Sequence, residues 1–485
     1  MPVNAQQWLA LYASDIPPCQ LNQLQLDSRK VRSGDVFLAI PGVQQHGKQF
    51  IAQALAQGAA LVLTDEGQYD DKRILVLPEL MQLLPALAAS FYQQPARSLQ
   101  LVGITGTNGK SSTAFFVSQL AEQLAQKAAV IGTLGYGPCS KLTPLPNTTP
   151  HYVDIQRILS EAVAAKTQLV AMEVSSHALV QQRVAGLWFD AAVFTNLTRD
   201  HLDYHGSMAE YGAAKALLFT PQLSRAAVIN VSDEFGRQLA AQSQLPVWAY
   251  GKAADCRGFS RYLAYDDVLA TEDGYQLQLS SHVAEYNFYL PLLGEFNIQN
   301  VLAAMSSMLV LGYDLTTVVA ACSQLKPVPG RMEQFKFAQN FTAVVDYAHT
   351  PDALQQALQS LRLHCKGKLW CVFGCGGDRD RGKRPLMGQL AELHADHVII
   401  TADNPRSEDV LSICEEIAAG MSPDGSYTIE PDRQSAIKLA LISAQEGDVV
   451  LVAGKGHETI QIIGSEHRQY DERAYLRQLV AEMSA

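Results

Sequence analysis

Short apolar runs recur along the chain, and most end in a polar or glycine-rich tip. The run at 99–105 leads into Gly106-Thr107-Asn108-Gly109-Lys110-Ser111-Ser112, and 167–174 leads into Ser175-Ser176-His177. Runs 191–195 and 226–230 lead into Asn196–Asp203 and Val231–Asp233. The design repeats further on, where 343–345, 369–373, 396–401 and 448–453 precede Asp346–Asp352, Gly374–Arg381, Ala402–Arg406 and Gly454–Glu458. Apolar runs without alternation predict strands buried on both faces. Helical spacings separate them: Val117, Leu120, Ala121 and Leu124 recur at i, i+3, i+4 and i+7, predicting a helix with one apolar face. Ile298, Leu302, Met305 and Leu309 predict another, and Thr350 and Pro351 read as N-cap and first residue of a third. Strands alternating with helices predict an α/β protein with parallel, doubly wound sheets, whose ligands sit beyond the carboxyl ends of the strands.

At 485 residues the chain is too long for one core. Two breaks divide the pattern. Gln93–Arg97 contains Pro95, and Pro327–Arg331 carries two prolines and a glycine. Three domains are expected: a small α/β unit at 1–96, a central phosphate-loop sheet at 97–331, and a Rossmann-like sheet at 332–485. Inside the second, 245–290 turns to short alternating runs such as Tyr275–Ser280, which predict antiparallel hairpins.

Composition narrows the class. The chain is 48% hydrophobic and 18% charged, which excludes disordered and fibrous proteins. Its net charge is −11 with no long basic run, so nucleic acid is not an expected partner. No signal-peptide pattern or membrane-length apolar stretch is apparent, so a cytoplasmic protein without a membrane partner is expected. The eight cysteines are scattered, and Cys371 and Cys375 read as strand-end thiols.

The tips carry the chemistry. Strand, glycine turn, Lys-Ser and helix is the layout of a phosphate-cradling loop, with Lys110 toward the β- and γ-phosphates of ATP and Ser111 toward Mg²⁺. The loop is a short form, because Ile104 stands where the longer Walker pattern has glycine. Glu173, on a neighbouring tip, is a second oxygen ligand suited to Mg²⁺. His201 and His205 stand four apart, but no glutamate between them completes a zinc motif. Lys215 follows a capping box at Ser207–Glu210 and reads as a solvated surface lysine. In the last domain Arg379, Arg381 and Arg406 form a candidate carboxylate-binding set, and Glu458 suits an ammonium group. Phosphoryl transfer to a carboxylate, followed by attack of a bound amine, is the reaction such parts support.

Together Gly106–Ser111, Met172–His177, Asn196–His205, Pro329–Arg331, Asp346–His349 and Gly454–Glu458 resemble the Mur ligases, nearly end to end. The resemblance implies a cytoplasmic ATP-dependent ligase of peptidoglycan precursor synthesis, with a UDP-substrate domain, an ATPase domain and an amino-acid domain. It implies that Leu26, Ser28, Val43, Gln44 and Gln45 hold uridine, and that Asn147, Thr148, Thr149, Ser175, Gln181 and Arg183 hold the muramoyl-dipeptide. Lys215 matches a lysine that the family carbamylates, making it a Mg²⁺ ligand. Glu173 and His201 match magnesium positions, and Asn300, Arg331 and Asp346–His349 match nucleotide contacts. The tetrapeptide Asp403-Asn404-Pro405-Arg406 accompanies meso-diaminopimelate in the family, with Arg379, Gly454 and Glu458 as further contacts. The implied partners are UDP-N-acetylmuramoyl-L-alanyl-D-glutamate (UDP-MurNAc-L-Ala-D-Glu), meso-2,6-diaminopimelate and ATP, acting on a monomer. A folylpolyglutamate-type ligase, a P-loop switch or motor, and a zinc hydrolase at His201 and His205 are the competing readings.

Overall fold

The computed structural model describes residues 2–42, 45–422 and 425–483. They form two compact units, one of 1–107, 125–227 and 241–247, the other of 108–124, 228–240 and 248–485.

The first unit opens with a four-stranded parallel sheet of β1 (Leu24–Gln25), β2 (Val36–Ala39), β3 (Leu61–Thr64) and β4 (Ile74–Val76), in that order. Alternate residues of β2 enter different cores. Val36 and Leu38 pack with Leu80, Leu84, Leu87 and Phe91 of the helix Leu80–Phe91. Phe37 and Ala39 pack with Ile51 and Ala54. Both faces are covered, which is why these strands read as continuous apolar runs. The helix stops at Phe91, and Gln93 and Gln94 take left-handed conformations (φ 61° and 51°) before Pro95 opens a 3₁₀ turn. The break expected at Pro95 thus begins in the two residues before it.

The same unit holds strands β5 (Gln100–Thr105), β6 (Ala128–Gly132), β7 (Gly135–Gly137), β8 (Leu169–Glu173) and β9 (Ala191–Phe194). Their order is β9-β5-β8-β6-β7, parallel except for the β6–β7 hairpin. The register sets Glu173 opposite Ile104, so the carboxylate tip of β8 lies beside the end of the strand that feeds the phosphate loop.

In the second unit the helix Lys110–Gln123 is buried nearly all round, from Ser111 through Val117 to Ala121. The single apolar face expected from Val117, Leu120, Ala121 and Leu124 is therefore too narrow. Small polar residues such as Ser112, Thr113 and Ser118 pack inside because they occupy little volume, and Thr113 Oγ1 donates to Asn300 Oδ1 of the helix Glu295–Val310. Strands β10 (Val247–Lys252, in this unit from Trp248 on), β11 (Tyr262–Ala270), β12 (Tyr275–Ser281) and β13 (Glu285–Leu290) include the expected hairpins β11–β12 and β12–β13. The β10–β11 pair is parallel, contrary to the antiparallel expectation.

The last sheet comprises β14 (Glu333–Lys336), β15 (Thr342–Asp346), β16 (Leu369–Phe373), β17 (His397–Ile400), β18 (Tyr427–Ile429) and β19 (Val449–Ala453). Its order is β14-β15-β19-β16-β17-β18, parallel except at the β14 edge. One face packs on Leu354, Leu358, Leu361 and Met387, the other on Ile437, Leu441 and Leu476. Thr350 caps its helix by accepting from Ala353 N–H, and Pro351 is the first helical residue. A hairpin of β20 (Ile460–Ile463) and β21 (Glu466–Gln469) follows β19. Cys371 and Cys375 are free, buried thiols. Among the described residues no helix is long and apolar enough to cross a membrane.

Candidate active site

The loop after β5 needs its glycines. Gly106 (φ 151°) and Gly109 (φ 83°) occupy backbone conformations that disfavour side chains, and a Cβ would strike Thr195 Oγ1 at the first and Asn300 Oδ1 at the second. Thr107 ties the loop to the next tip: its N–H donates to the Asn196 carbonyl (2.8 Å) and its hydroxyl to that of Thr198 (3.2 Å). Lys110 opens the helix directly after Gly109, which places the positive end of the helix dipole at the loop. Asn300 is buried, close to Gly109 and Thr113, so it braces the loop from the helix Glu295–Val310.

Around the tip of β8 the first unit gathers most of the residues assigned to the dipeptide substrate. Glu173 is 2% exposed, and its carboxylate accepts from Thr133 N–H (2.9 Å) and Thr133 Oγ1 (3.1 Å). Thr148 Oγ1 bonds Thr133 Oγ1 (3.1 Å), and Thr149 Oγ1 donates to the Glu173 carbonyl (2.9 Å) and accepts from Ser175 N–H. Arg183 donates to the Thr149 carbonyl and to Gln181 Oε1, while Gln181 Nε2 donates to the Tyr204 hydroxyl. Asn147 is exposed at the rim. His201 (φ 52°) precedes the short helix Leu202–His205, and the His177 ring lies 4.9 Å from that of His201 and 5.3 Å from that of His205. Burial, then the neighbouring His201, pulls His177 and His205 below the ordinary histidine range.

Lys215 is 1% exposed, which overturns its reading as a solvated lysine. Its Nζ donates to the Gly106 carbonyl (2.8 Å) and sits 4.3 Å from the Tyr211 ring centre. Spacing alone missed this because a Lys two turns into a helix points wherever tertiary packing sends that helix.

In the small sheet, Ser28 is buried and donates to Gln53 Oε1, Leu26 is half-buried, and Gln45 is exposed. Val43 and Gln44 lie outside the described residues.

The carboxyl edge of the last sheet carries two clusters. Arg331 stacks on Tyr347 (4.4 Å), beside His349 and His457. Asp346 accepts Met332 and Ala348 N–H groups, and burial raises its carboxyl. Burial, then Arg331, pulls His457 down to about 4. In the second cluster Arg406 (φ 52°) donates through Nη1 to the Gly377 carbonyl (2.8 Å). No bond to its Nε–Nη2 edge is found among the described residues. Arg379 is exposed nearby, with its side chain close to Gly376. Arg381 is drawn away into an ion pair with Glu416, so the expected trio reduces to Arg379 and Arg406. Asn404 Nδ2 donates to Glu458 Oε2 (2.9 Å), and a Cβ on Gly454 would approach Asp403. Pro405 is buried, and its carbonyl abuts Gly377.

Three profiles match this chain: the Mur ligase family catalytic domain over 20–92, the Mur ligase middle domain over 104–308, and the Mur ligase glutamate ligase domain over 330–456. A solved UDP-N-acetylmuramoyl-L-alanyl-D-glutamate–2,6-diaminopimelate ligase is 34% identical over 100% of both chains, with a TM-score of 0.73. The chain belongs to the Mur ligase family. Its α/β fold has that family's three-domain architecture. MurF ligase from Thermotoga maritima in complex with ADP shares the fold at 19% identity, covering 95% of this chain and 96% of its own, with a TM-score of 0.66. Folylpolyglutamate synthase of Mycobacterium tuberculosis, complexed with ADP, does so at 21% identity over 78% and 92%, with a TM-score of 0.61.

Mur ligases are ATP-dependent amide ligases, and the parts found here suit that chemistry. Among the described residues no group of three His, Cys, Asp or Glu is placed to hold a metal ion. A magnesium ion needs less, since it keeps several waters and takes one or two carboxylates plus phosphate oxygens. The buried carboxylate of Glu173, held by Thr133, is of that ligand type. Thr133 and Lys455, whose side chains hold Glu173 and Glu458, were not picked out from sequence. A Thr next to an apolar run, or a Lys between two glycines, carries no periodic signal.

Proposed function

We propose that this Mur ligase joins meso-2,6-diaminopimelate to UDP-MurNAc-L-Ala-D-Glu, converting ATP to ADP and phosphate, in the cytoplasmic synthesis of peptidoglycan precursor. The observation that carries the reading is Arg406. It stands in Asp403-Asn404-Pro405-Arg406 at a strand tip, one guanidinium nitrogen anchored on Gly377 and the Nε–Nη2 edge left for a carboxylate. Lysine lacks the distal carboxylate that a guanidinium fork would clamp. The 34% identity to a diaminopimelate ligase supports the same choice.

The domains are read as 1–96 for the UDP-substrate, 97–331 for ATP and 332–485 for the amino acid. Gly106–Ser112, with Asn300 and Arg331, are assigned to ATP. Leu26, Ser28 and Val43–Gln45 are assigned to uridine, and Asn147–Thr149, Ser175, Gln181 and Arg183 to the muramoyl-dipeptide. Arg379, Asp403–Arg406, Gly454 and Glu458 take the amino acid. Mg²⁺, held through Ser111, Glu173, His201 and a carbamate on Lys215, would supply charge neutralisation at the phosphates. A carbamate on Lys215 would convert its buried cation into an oxygen ligand.

The substrate carboxylate attacks the γ-phosphorus, ADP leaves, and an acyl phosphate forms. The amine of diaminopimelate then attacks the acyl carbon, loses a proton, and inorganic phosphate departs. Lys110 and the helix end beneath it favour the charge that develops on the phosphoryl group. Phosphate release should require both UDP-MurNAc-L-Ala-D-Glu and meso-diaminopimelate, and lysine should not replace the latter. Equal release without either substrate would refute the ligase reading.

A further inference from the structure

We propose that Lys455 is a positioning residue for amino-acid recognition: its buried ammonium fixes Asn404 and Glu458 and leaves one ionised Glu458 oxygen for a substrate ammonium. The inference rests on the diaminopimelate-ligase reading above.

Lys455 is wholly buried, an unusual place for a lysine. Its three N–H donors are all used: Nζ donates to Asn404 Oδ1 (3.1 Å), Glu458 Oε2 (3.0 Å) and the Ile460 carbonyl (2.8 Å). Asp403 Oδ1 lies 3.8 Å away. A buried charge is tolerated only when paired and bonded, and this one is. Its partners are the residues that carry the amino-acid assignment. Asn404 is locked on every side, its Oδ1 accepting also from Ile462 N–H (3.0 Å) and its Nδ2 donating to Glu458. Arg406 follows two residues on. Its N–H donates to the Ile462 carbonyl (3.1 Å), and its carbonyl accepts from Gly464 N–H (2.6 Å). Lys455 thus knits the Gly454–Glu458 tip, the Asp403–Arg406 tip and the β20–β21 hairpin at one point.

The charge count follows. Among Asp403, Glu458 and Lys455 two negative charges meet one positive, so this corner keeps one negative charge while Arg379 and Arg406 carry the positive charge of the site. Glu458 Oε2 is consumed by Lys455 and Asn404, whereas Oε1 has no bond among the described residues. That oxygen remains for an ammonium group. Burial alone would raise the Glu458 carboxyl, but Lys455 and then Asn404 hold it below the usual range, so it stays ionised.

The test compares wild type with Lys455→Met, Lys455→Gln, Glu458→Gln and Lys455→Met/Glu458→Gln, all as full chains. Lys455→Met should raise KM for diaminopimelate at least about tenfold and leave KM for ATP unchanged. The acid limb of kcat/KM for diaminopimelate should move up by about one pH unit, because Glu458 loses its cation. The double variant should be no worse than Glu458→Gln alone. An unmoved acid limb, additive losses in the double variant, or parallel losses for ATP would overturn the proposal. Lys455→Gln, which retains an amide donor without the charge, should show the same limb shift. If neither Lys455 variant folds, calorimetric binding of diaminopimelate to wild type decides. Affinity should hold constant from pH 7 to 5, and a decline beginning above pH 5 would overturn the proposal. Wild type without diaminopimelate-dependent phosphate release would instead refute the ligase reading itself.

Discussion

Replacing Arg406 by Ala should collapse the preference for diaminopimelate over lysine. The side chain makes one bond that matters to the loop, Nη1 to the Gly377 carbonyl at 2.8 Å. Its other edge is the one assigned to the distal carboxylate. A hydrogen bond to a charged group contributes about 1.5–3 kcal/mol. Two in one fork overlap, so about 3 kcal/mol of diaminopimelate recognition is at stake, or roughly a hundredfold in kcat/KM. Ala brings no new backbone strain, since Arg406 already holds φ 52° without being glycine. Lysine as substrate provides the internal control. It has no carboxylate for the fork, so its kcat/KM should change only by what the lost Gly377 contact costs the loop, about fivefold. The assay is phosphate release with each amino acid at fixed UDP-MurNAc-L-Ala-D-Glu, with KM for ATP measured in parallel. A preference that survives in Arg406→Ala, or an equal loss for ATP and both amino acids, would refute the role given to Arg406.

Other expectations follow from single features. If Lys215 works as a carbamate, activity should fall in bicarbonate-depleted buffer and return on adding bicarbonate, while Lys215→Arg stays inactive; unchanged turnover without bicarbonate would remove that role. His151 caps the helix Tyr152–Ala164 by accepting Val153 N–H through Nδ1, and burial, then Arg183, pulls it from its ordinary 6.5 to about 4. The unfolded chain therefore binds the proton more readily, so stability is full above pH 6.5 and is lost as pH falls toward 4. The loss reaches about 3 kcal/mol, and His151→Asn, a cap that does not titrate, should flatten the acid slope of Tm. Arg433 and Glu472 form a fully buried ion pair at 2.8 Å, with Arg433 also donating to the Ala402 and Ala453 carbonyls. Arg433→Met should destabilise by about 3–5 kcal/mol in urea unfolding, and adding Glu472→Leu should recover part of it.

Much of this is legible in the sequence. Strand runs such as 169–173 and 449–453 stand out because both faces are buried and every position is apolar. Thr350-Pro351 and the loop glycines stand out because cap and turn geometry admit few residue types. The all-round burial of the helix Lys110–Gln123 is not legible there, because small polar residues look the same in a core as on a surface. The parallel β10–β11 pair escaped for a related reason: alternation marks a strand but not the direction of its neighbour.

The pairings of long side chains within each cluster belong to a different category. Sequence by itself determined that a phosphate loop exists, that the sheets are parallel, and that charged tips gather at their carboxyl edges. Those features depend on local sterics, hydrogen bonding and periodicity, which act over a few residues. Only the tertiary structure decided that Lys215 is buried beneath the Gly106 carbonyl, that Arg381 is spent on Glu416 while Arg406 keeps an edge, and that Lys455 clasps Asn404 and Glu458. Most of those outcomes depend on which long side chain reaches a neighbour tens of positions or more away, and only the packed chain fixes that.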